Sequence, residues 1–162
     1  MNRDPLPRRR SLRAPAHDYT APAAYFITVV TQHRACLFGK ILDDRFHSTP
    51  AGDLVTRLWH GLPNRFPLVE LDHFVVMPNH VHSLLWLTEE SAEQPVILGA
   101  IVGAFKSLAA REINAMLGRT GPLWQRNYYE RVVRDETEPT AIRKYIEENP
   151  LRWALDAENP DR

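Results

Sequence analysis

A single cysteine, Cys36, stands among 162 residues, so no disulfide can form within the chain. Nothing near it lowers a thiol pKa, and it reads as buried or inert. No run of about 18 apolar residues exists to cross a bilayer, and the charged N-terminal stretch lacks the apolar segment of a secretory signal. These absences point to a reducing cytoplasm and to no membrane partner. Net charge is missing too: 20 basic and 20 acidic residues cancel, so the strongly basic balance of many nucleic-acid binders is absent. Lysine is scarce. Lys40, Lys106 and Lys144 are the only three, and the other basic residues are arginine, whose planar fork matches phosphate better than an ammonium does. A GC-rich genome would give the same bias. Internal repeats and low-complexity tracts are also lacking.

What remains, 44% hydrophobic, 9% aromatic and 25% charged, is an average globular composition. A chain this long buries roughly two-thirds of its unfolded surface, which suits one compact domain. Residues 1–24 carry Arg8, Arg9, Arg10 and Arg13 among four prolines and read as an extended basic arm, with the domain over 25–155 and a tail over 156–162. Tyr25 to Thr31 is a β-branched and aromatic run of strand length, followed by a polar turn at Gln32-His33-Arg34. From Thr49-Pro50 the spacing of Leu54, Val55, Leu58 and Trp59 becomes helical, until Gly61, Pro63 and Pro67 end it.

Val69 to Met77 and His80 to Leu87 read as two strands of a hairpin broken at Pro78-Asn79. A polar linker at 91–95 leads to the longest helical pattern, Ile97 to Leu117, stopped by Gly118. Tyr128 to Val133 gives a fourth strand, and Thr137 with Pro139 opens a last helix ending at Asn149-Pro150. The order β-α-β-β-α-β plus a C-terminal helix is an α+β, ferredoxin-like arrangement: an antiparallel sheet with helices on one face and the extra helix added.

Three groups of residues have chemical potential. His80-Val81-His82 begins a strand, and period-two geometry puts both imidazoles on one face, where they can share a divalent metal. Two satisfied structural histidines fit the same pattern, although their strand continues as Leu84-Leu85-Trp86-Leu87, so buried imidazoles there would need polar partners. Tyr145 and Asn149 lie one turn apart on the last helix. They are either a hydroxyl and an amide pointing together, or a core aromatic with a wet tip and a C-terminal cap. Trp124 to Arg131 mixes rings for base stacking with arginines for phosphate, or is an ordinary strand entry. Tyr128 and Tyr129 rival Tyr145 by residue type, but being adjacent they face opposite ways, so at most one can meet the histidines. No third histidine or acidic motif lies at a typical ligand spacing from His82, which speaks against a zinc hydrolase.

The sequence resembles the single-tyrosine HUH transposases, and within them the branch associated with repetitive extragenic palindromes (REPs). The likeness spans most of the chain. It rests on Arg9-Arg10-Ser11-Leu12-Arg13 with Tyr19, Ala24-Tyr25-Phe26-Ile27-Thr28, Cys36-Leu37-Phe38-Gly39, and Met77-Pro78-Asn79-His80-Val81-His82. Leu98 to Val102 with Phe105-Lys106-Ser107, Trp124 to Glu130, and Tyr145 to Trp153 complete it.

The resemblance implies that Tyr145 is the nucleophile, that Asn149 joins His80 and His82 as a third ligand, and that the ion is Mg2+ or Mn2+. It implies cleavage and rejoining of single-stranded DNA beside a hairpin, through a 5′-phosphotyrosine. Phosphate and base contacts would come from Arg8, Arg9, Arg10, Arg13, Lys106, Arg111, Gln125, Arg126 and Arg131. Transposing relatives pair their subunits, whereas the REP-associated branch works as monomers, so both a monomer and a homodimer are open. A nicking or replication-initiation endonuclease, and a non-catalytic DNA-binding regulator, are the rival readings.

Overall fold

Period-two alternation sorts strand β1, Ala23–Val30, onto two covered faces: Tyr25, Ile27 and Val29 enter one apolar cluster, Ala24 and Phe26 another. A strand buried on both sides reads as a continuous apolar run, as this one does. The computed structural model describes residues 22–88, 97–133 and 137–162. Arg8, Arg9, Arg10, Arg13 and the linker at 91–95 lie outside them.

After a 3-10 turn at Gln32–Arg34 come β2, Gly39–Leu42, and β3, Arg45–Ser48, a two-stranded hairpin separate from the main sheet. Its turn residues Asp43 and Asp44 both take positive φ, 49° and 58°, the twist a two-residue hairpin favours. Helix α1, Pro50–His60, starts at Thr49, whose Oγ1 accepts from the Gly52 N–H at 3.2 Å, with Pro50 in its first turn. Gly61 ends α1 as expected. A single further turn, α2 at Leu62–Arg65, then forms across Pro63, because proline is tolerated in a helix's first turn.

Strands β4, Val69–Val76, and β5, His80–Leu87, form the hairpin, which the Met77 N–H closes by donating to the His80 carbonyl at 2.8 Å. Helix α3, Leu98–Leu117, buries Ile101, Val102, Phe105, Ala109 and Ile113 and ends at Gly118 (φ 60°). β6, Tyr129–Val132, and α4, Glu138–Glu148, follow, and a 3-10 segment over Asn149–Leu155 continues from α4.

The main sheet runs β4-β5-β1-β6 with every neighbour antiparallel. With α1 joining β1 towards β4 and α3 joining β5 to β6, this is the ferredoxin-like order. One sheet face carries the large core, where Trp59 from α1 meets Phe105 from α3 edge-on at 4.9 Å. The other face carries α4, whose Ile142 and Ile146 pack on Phe26 and Leu84. Among the described residues no helix is long and apolar enough to cross a membrane.

Candidate active site

β5 begins with the two histidines, and the sheet register sets their neighbours. Thr28 of β1 lies opposite His82, and its Oγ1 is 2.7 Å from His82 Nδ1. His80 Nδ1 is 2.8 Å from Asn79 Oδ1. The orientation of that amide is fixed because its nitrogen donates to the carbonyls of Arg34, at 3.0 Å, and Glu158, at 2.7 Å. Asn79 Oδ1 therefore accepts, His80 Nδ1 carries the proton, and His80 Nε2 is left with its lone pair. That lone pair faces His82 Nε2 at 3.0 Å and Asp156 Oδ2 at 3.6 Å. Burial pushes His80 down to about 4, and burial with the adjacent His80 holds His82 well below its ordinary value. Both rings are neutral at pH 7, the state that binds a cation.

Tyr145 and Asn149 meet this pair from α4. Ile142 and Ile146 turn inward and fix the helix's rotation, which carries Tyr145 to the edge of the cluster, 39% exposed. Its ring centroid is 5.3 Å from that of His82 and 5.9 Å from Phe26. Phe26 in turn stacks on His82 at 5.5 Å. Asn149 caps α4, is 1% exposed, and its Oδ1 has no hydrogen-bond partner among the described residues. An acceptor in that state costs on the order of 1–3 kcal/mol, so it calls for a donor or a cation. Tyr145, Asn149, His82, Thr28 and Tyr129 line a cleft of about 600 Å³, with Arg152 and Asp156 also on its walls.

Of the rival tyrosines, Tyr129 faces this cleft and Tyr128 packs against the large core, so the adjacent pair does divide between the faces. The cations expected on DNA are dispersed. Lys106 Nζ donates to the carbonyls of Gln125, at 2.7 Å, and Arg126, at 3.1 Å, and burial lowers its pKa. Arg131 pairs with Glu138 at the start of α4, and Arg111 lies 3.7 Å from Glu112. Arg126 is exposed, and Gln125 is tied by its backbone N–H to the Val30 carbonyl at 2.9 Å. Cys36 is exposed rather than buried, and partial burial of its sulfur with the nearby Asp161 pushes its pKa up.

Several site residues escaped the sequence reading. Thr28 was legible in principle, since pairing an antiparallel neighbour against His82 needs only the register. Asn79 reads in the sequence as part of a hairpin break, and nothing local marks it as the partner of His80. Asp156 had no local signal, because it reaches His80 only after the chain has folded back through α4 and the 3-10 segment.

Comparison with known proteins shows the family and the fold. Residues 23–149 match the family described as IS200-like transposases. An uncharacterised Haemophilus influenzae protein is 33% identical over 91% of this chain and 91% of its own length. A second protein of that organism, provisionally assigned as a REP-associated tyrosine transposase, is 23% identical over 83% of this chain and 74% of its own length. In fold, the chain is similar to a REP-associated tyrosine transposase solved bound to a REP hairpin. The TM-score is 0.64 at 18% identity, over 86% of this chain and 73% of that one. It is also similar to a Deinococcus radiodurans protein provisionally assigned as a transposase. There the TM-score is 0.51 at 21% identity, over 83% and 96% of the two chains.

Proposed function

Since the chain belongs to the IS200-like transposase family, whose members process DNA, we propose that it cleaves and rejoins single-stranded DNA beside a hairpin of the repetitive-extragenic-palindrome type. The observation that carries this reading is the approach of the Tyr145 ring to within 5.3 Å of the His82 ring, within one chain and on one cleft.

Tyr145 is the nucleophile. Its phenolic oxygen forms a bond to phosphorus while the bond from phosphorus to the 3′ oxygen breaks. The phenol proton leaves through the open side of the cleft, and the departing 3′ oxygen gains a proton from water. The product is a 5′-phosphotyrosine and a free 3′-hydroxyl. Because the bond energy is kept in the phosphodiester to Tyr145, a second 3′-hydroxyl reverses the step and joins a new strand without a nucleotide cofactor.

His80, His82 and Asn149 suit a divalent ion such as Mg2+ or Mn2+: two neutral imidazoles stand 3.0 Å apart on one stiff strand, and Asn149, whose buried amide oxygen is orphaned, lines the same cleft as His82. When bound, such an ion polarises the scissile phosphate and offsets its charge. Thr28 and Asn79 hold the imidazoles in place from behind, the role hydrogen-bonding partners of ligating histidines commonly play. The DNA backbone meets the arm over 1–24 and the exposed Arg126, while Lys106 and Gln125 shape the loop that presents it. The protein acts in the cytoplasm, where its DNA is.

The test is strand transfer. Purified protein, Mn2+ and two differently labelled hairpin-bearing single strands should yield a joined recombinant and a protease-sensitive covalent adduct. Nicked product alone would mark a replication-type endonuclease, and binding with neither product would mark a regulator.

A further inference from the structure

Asp156 does not belong to the ligand set proposed above, yet among the described residues its carboxylate stands within ion-pair distance of His80. Its Oδ2 stands 3.6 Å from His80 Nε2, its side chain is 10% exposed, and one ligand atom each from His80, His82 and Asp156 lie within 4.8 Å of one another. Its placement is built. Oδ1 accepts the Glu158 N–H at 2.8 Å, which leaves Oδ2 directed at the imidazoles, and the Asp156 carbonyl accepts from the Asn159 N–H at 3.1 Å. The Glu158 carbonyl accepts from Asn79 Nδ2 at 2.7 Å, and the Glu158 carboxylate accepts from Arg34 Nε at 2.8 Å. The residue that orients His80 thus also anchors the turn that carries Asp156.

We propose that Asp156 is an anionic ligand to the divalent cation held by His80 and His82, with Asn149 supplying a neutral oxygen to the same site. The inference rests on the metal reading of the cleft. Two imidazoles and an amide provide no negative charge, whereas Mg2+ and Mn2+ favour carboxylate oxygen over nitrogen. One anionic oxygen halves the ion's residual charge and leaves the remainder to attract a phosphodiester. The protein's own hydrogen bonds hold the Asp156 turn, so little of the ion's binding energy is spent on ordering it.

The experiment is calorimetric titration of the full chain with Mn2+ in the absence of DNA. Asp156→Asn keeps the Oδ1 acceptor for the Glu158 N–H and replaces the anionic Oδ2 with a neutral amide nitrogen that cannot ligate a cation. It should weaken Mn2+ binding at least tenfold, with His80→Ala abolishing it. Glu158→Gln, which loosens the Arg34 contact and leaves the Asp156 carboxylate, should bind Mn2+ nearly as the unaltered chain does. Equal weakening in both variants would assign the effect to placement of the turn and overturn the proposal. Undiminished binding by Asp156→Asn, with His80→Ala inactive in binding, would overturn it while leaving the metal reading intact. No Mn2+ binding by the unaltered chain would overturn both. Manganese-soaked crystals of the unaltered chain ask the question without any substitution: an anomalous peak bonded to an Asp156 oxygen supports the ligand, and an ion held without it refutes it.

Discussion

Arg143 grips Asp72 across 71 positions of sequence, its Nε 3.0 Å from Oδ1 and its Nη2 2.6 Å from Oδ2, so that a forked cation on α4 is locked to a carboxylate on β4. Trp86 Nε1 adds a third donor to Asp72 at 2.9 Å. Arg143 lies two residues before Tyr145, and the clamp therefore sets the height of the tyrosine over the sheet. Replacing Arg143 with Leu should cost about 1 kcal/mol, the lower end of charged hydrogen bonds because the guanidinium is 38% exposed. The rate of covalent capture should fall further than stability does. Lys, with charge but no fork, should recover only part of either. Chemical denaturation and a capture time course read the two effects; unchanged capture in the Leu variant would remove the positioning role.

Tyr145→Phe keeps the ring against Phe26 and His82 and deletes the oxygen alone. Folding stability should stay within about 0.5 kcal/mol. Covalent adduct should vanish from denaturing gels, whereas Tyr129→Phe, on the same cleft, should still form it. An adduct in the first variant and none in the second would exchange the two assignments.

His73 sits between Asp72, 2.6 Å from its Nδ1, and Glu147, 2.8 Å from its Nε2, and these acceptors raise its pKa above the ordinary value, Asp72 most strongly. A raised folded-state pKa stabilises fully below about pH 6.5, the unfolded value, and the contribution is lost as pH climbs through the folded value. Asp72 behaves in the opposite sense. Arg143 chiefly, then Trp86 and His73, hold it well below the usual carboxylate range, so its contribution is intact above about pH 4 and fades only in stronger acid. The melting temperature should thus decline as pH rises above about 6.5, and His73→Gln should flatten that decline. Equal slopes in the two proteins would rule His73 out as its source.

Lys106 and Arg126 separate structure from DNA contact. Lys106→Met strips two carbonyls of their donor and should lower stability while leaving the salt dependence of hairpin binding unchanged. Arg126→Ala should do the reverse, reducing the slope of log K against log salt by about one. Filter binding between 50 and 200 mM salt, alongside thermal melts, checks both.

Gly52 permits the close seat of α1. A Cβ there would overlap the Phe38 carbonyl oxygen and lie 2.6 Å from Ser48 Oγ. Gly52→Ala should therefore destabilise by about 1–3 kcal/mol despite its better helix propensity. A melt equal to or above that of the unaltered chain would contradict this.

The four main strands and three long helices were legible because their apolar spacing is regular and their ends carry Thr49, Gly118 and Asn149-Pro150. The β2–β3 hairpin was not, since its strands are four residues each and mostly exposed, leaving no buried alternation to read. Even so, Asp43-Asp44 held a turn signal. In the site, local spacing pairs His80 with His82 and Tyr145 with Asn149 but fits structural roles for both pairs equally well; the family resemblance, not the spacing, singles out Tyr145 and Asn149. Asp156 was not legible: its turn is held through Glu158, whose carbonyl accepts from Asn79 Nδ2 and whose carboxylate accepts from Arg34 Nε, contacts that no window of sequence contains.

The two faces of the sheet are unequally loaded. α1 and α3 share the large cluster, whereas α4 rests on a small one built from Ala24, Phe26, Leu84 and its own isoleucines, with polar clamps at its margin. Segments with few buried contacts open at lower free energy than the core. Amide exchange along α4 should accordingly outpace that along α3. A strand end esterified to Tyr145 would then ride on a detachable lever over a base plate that stays rigid throughout.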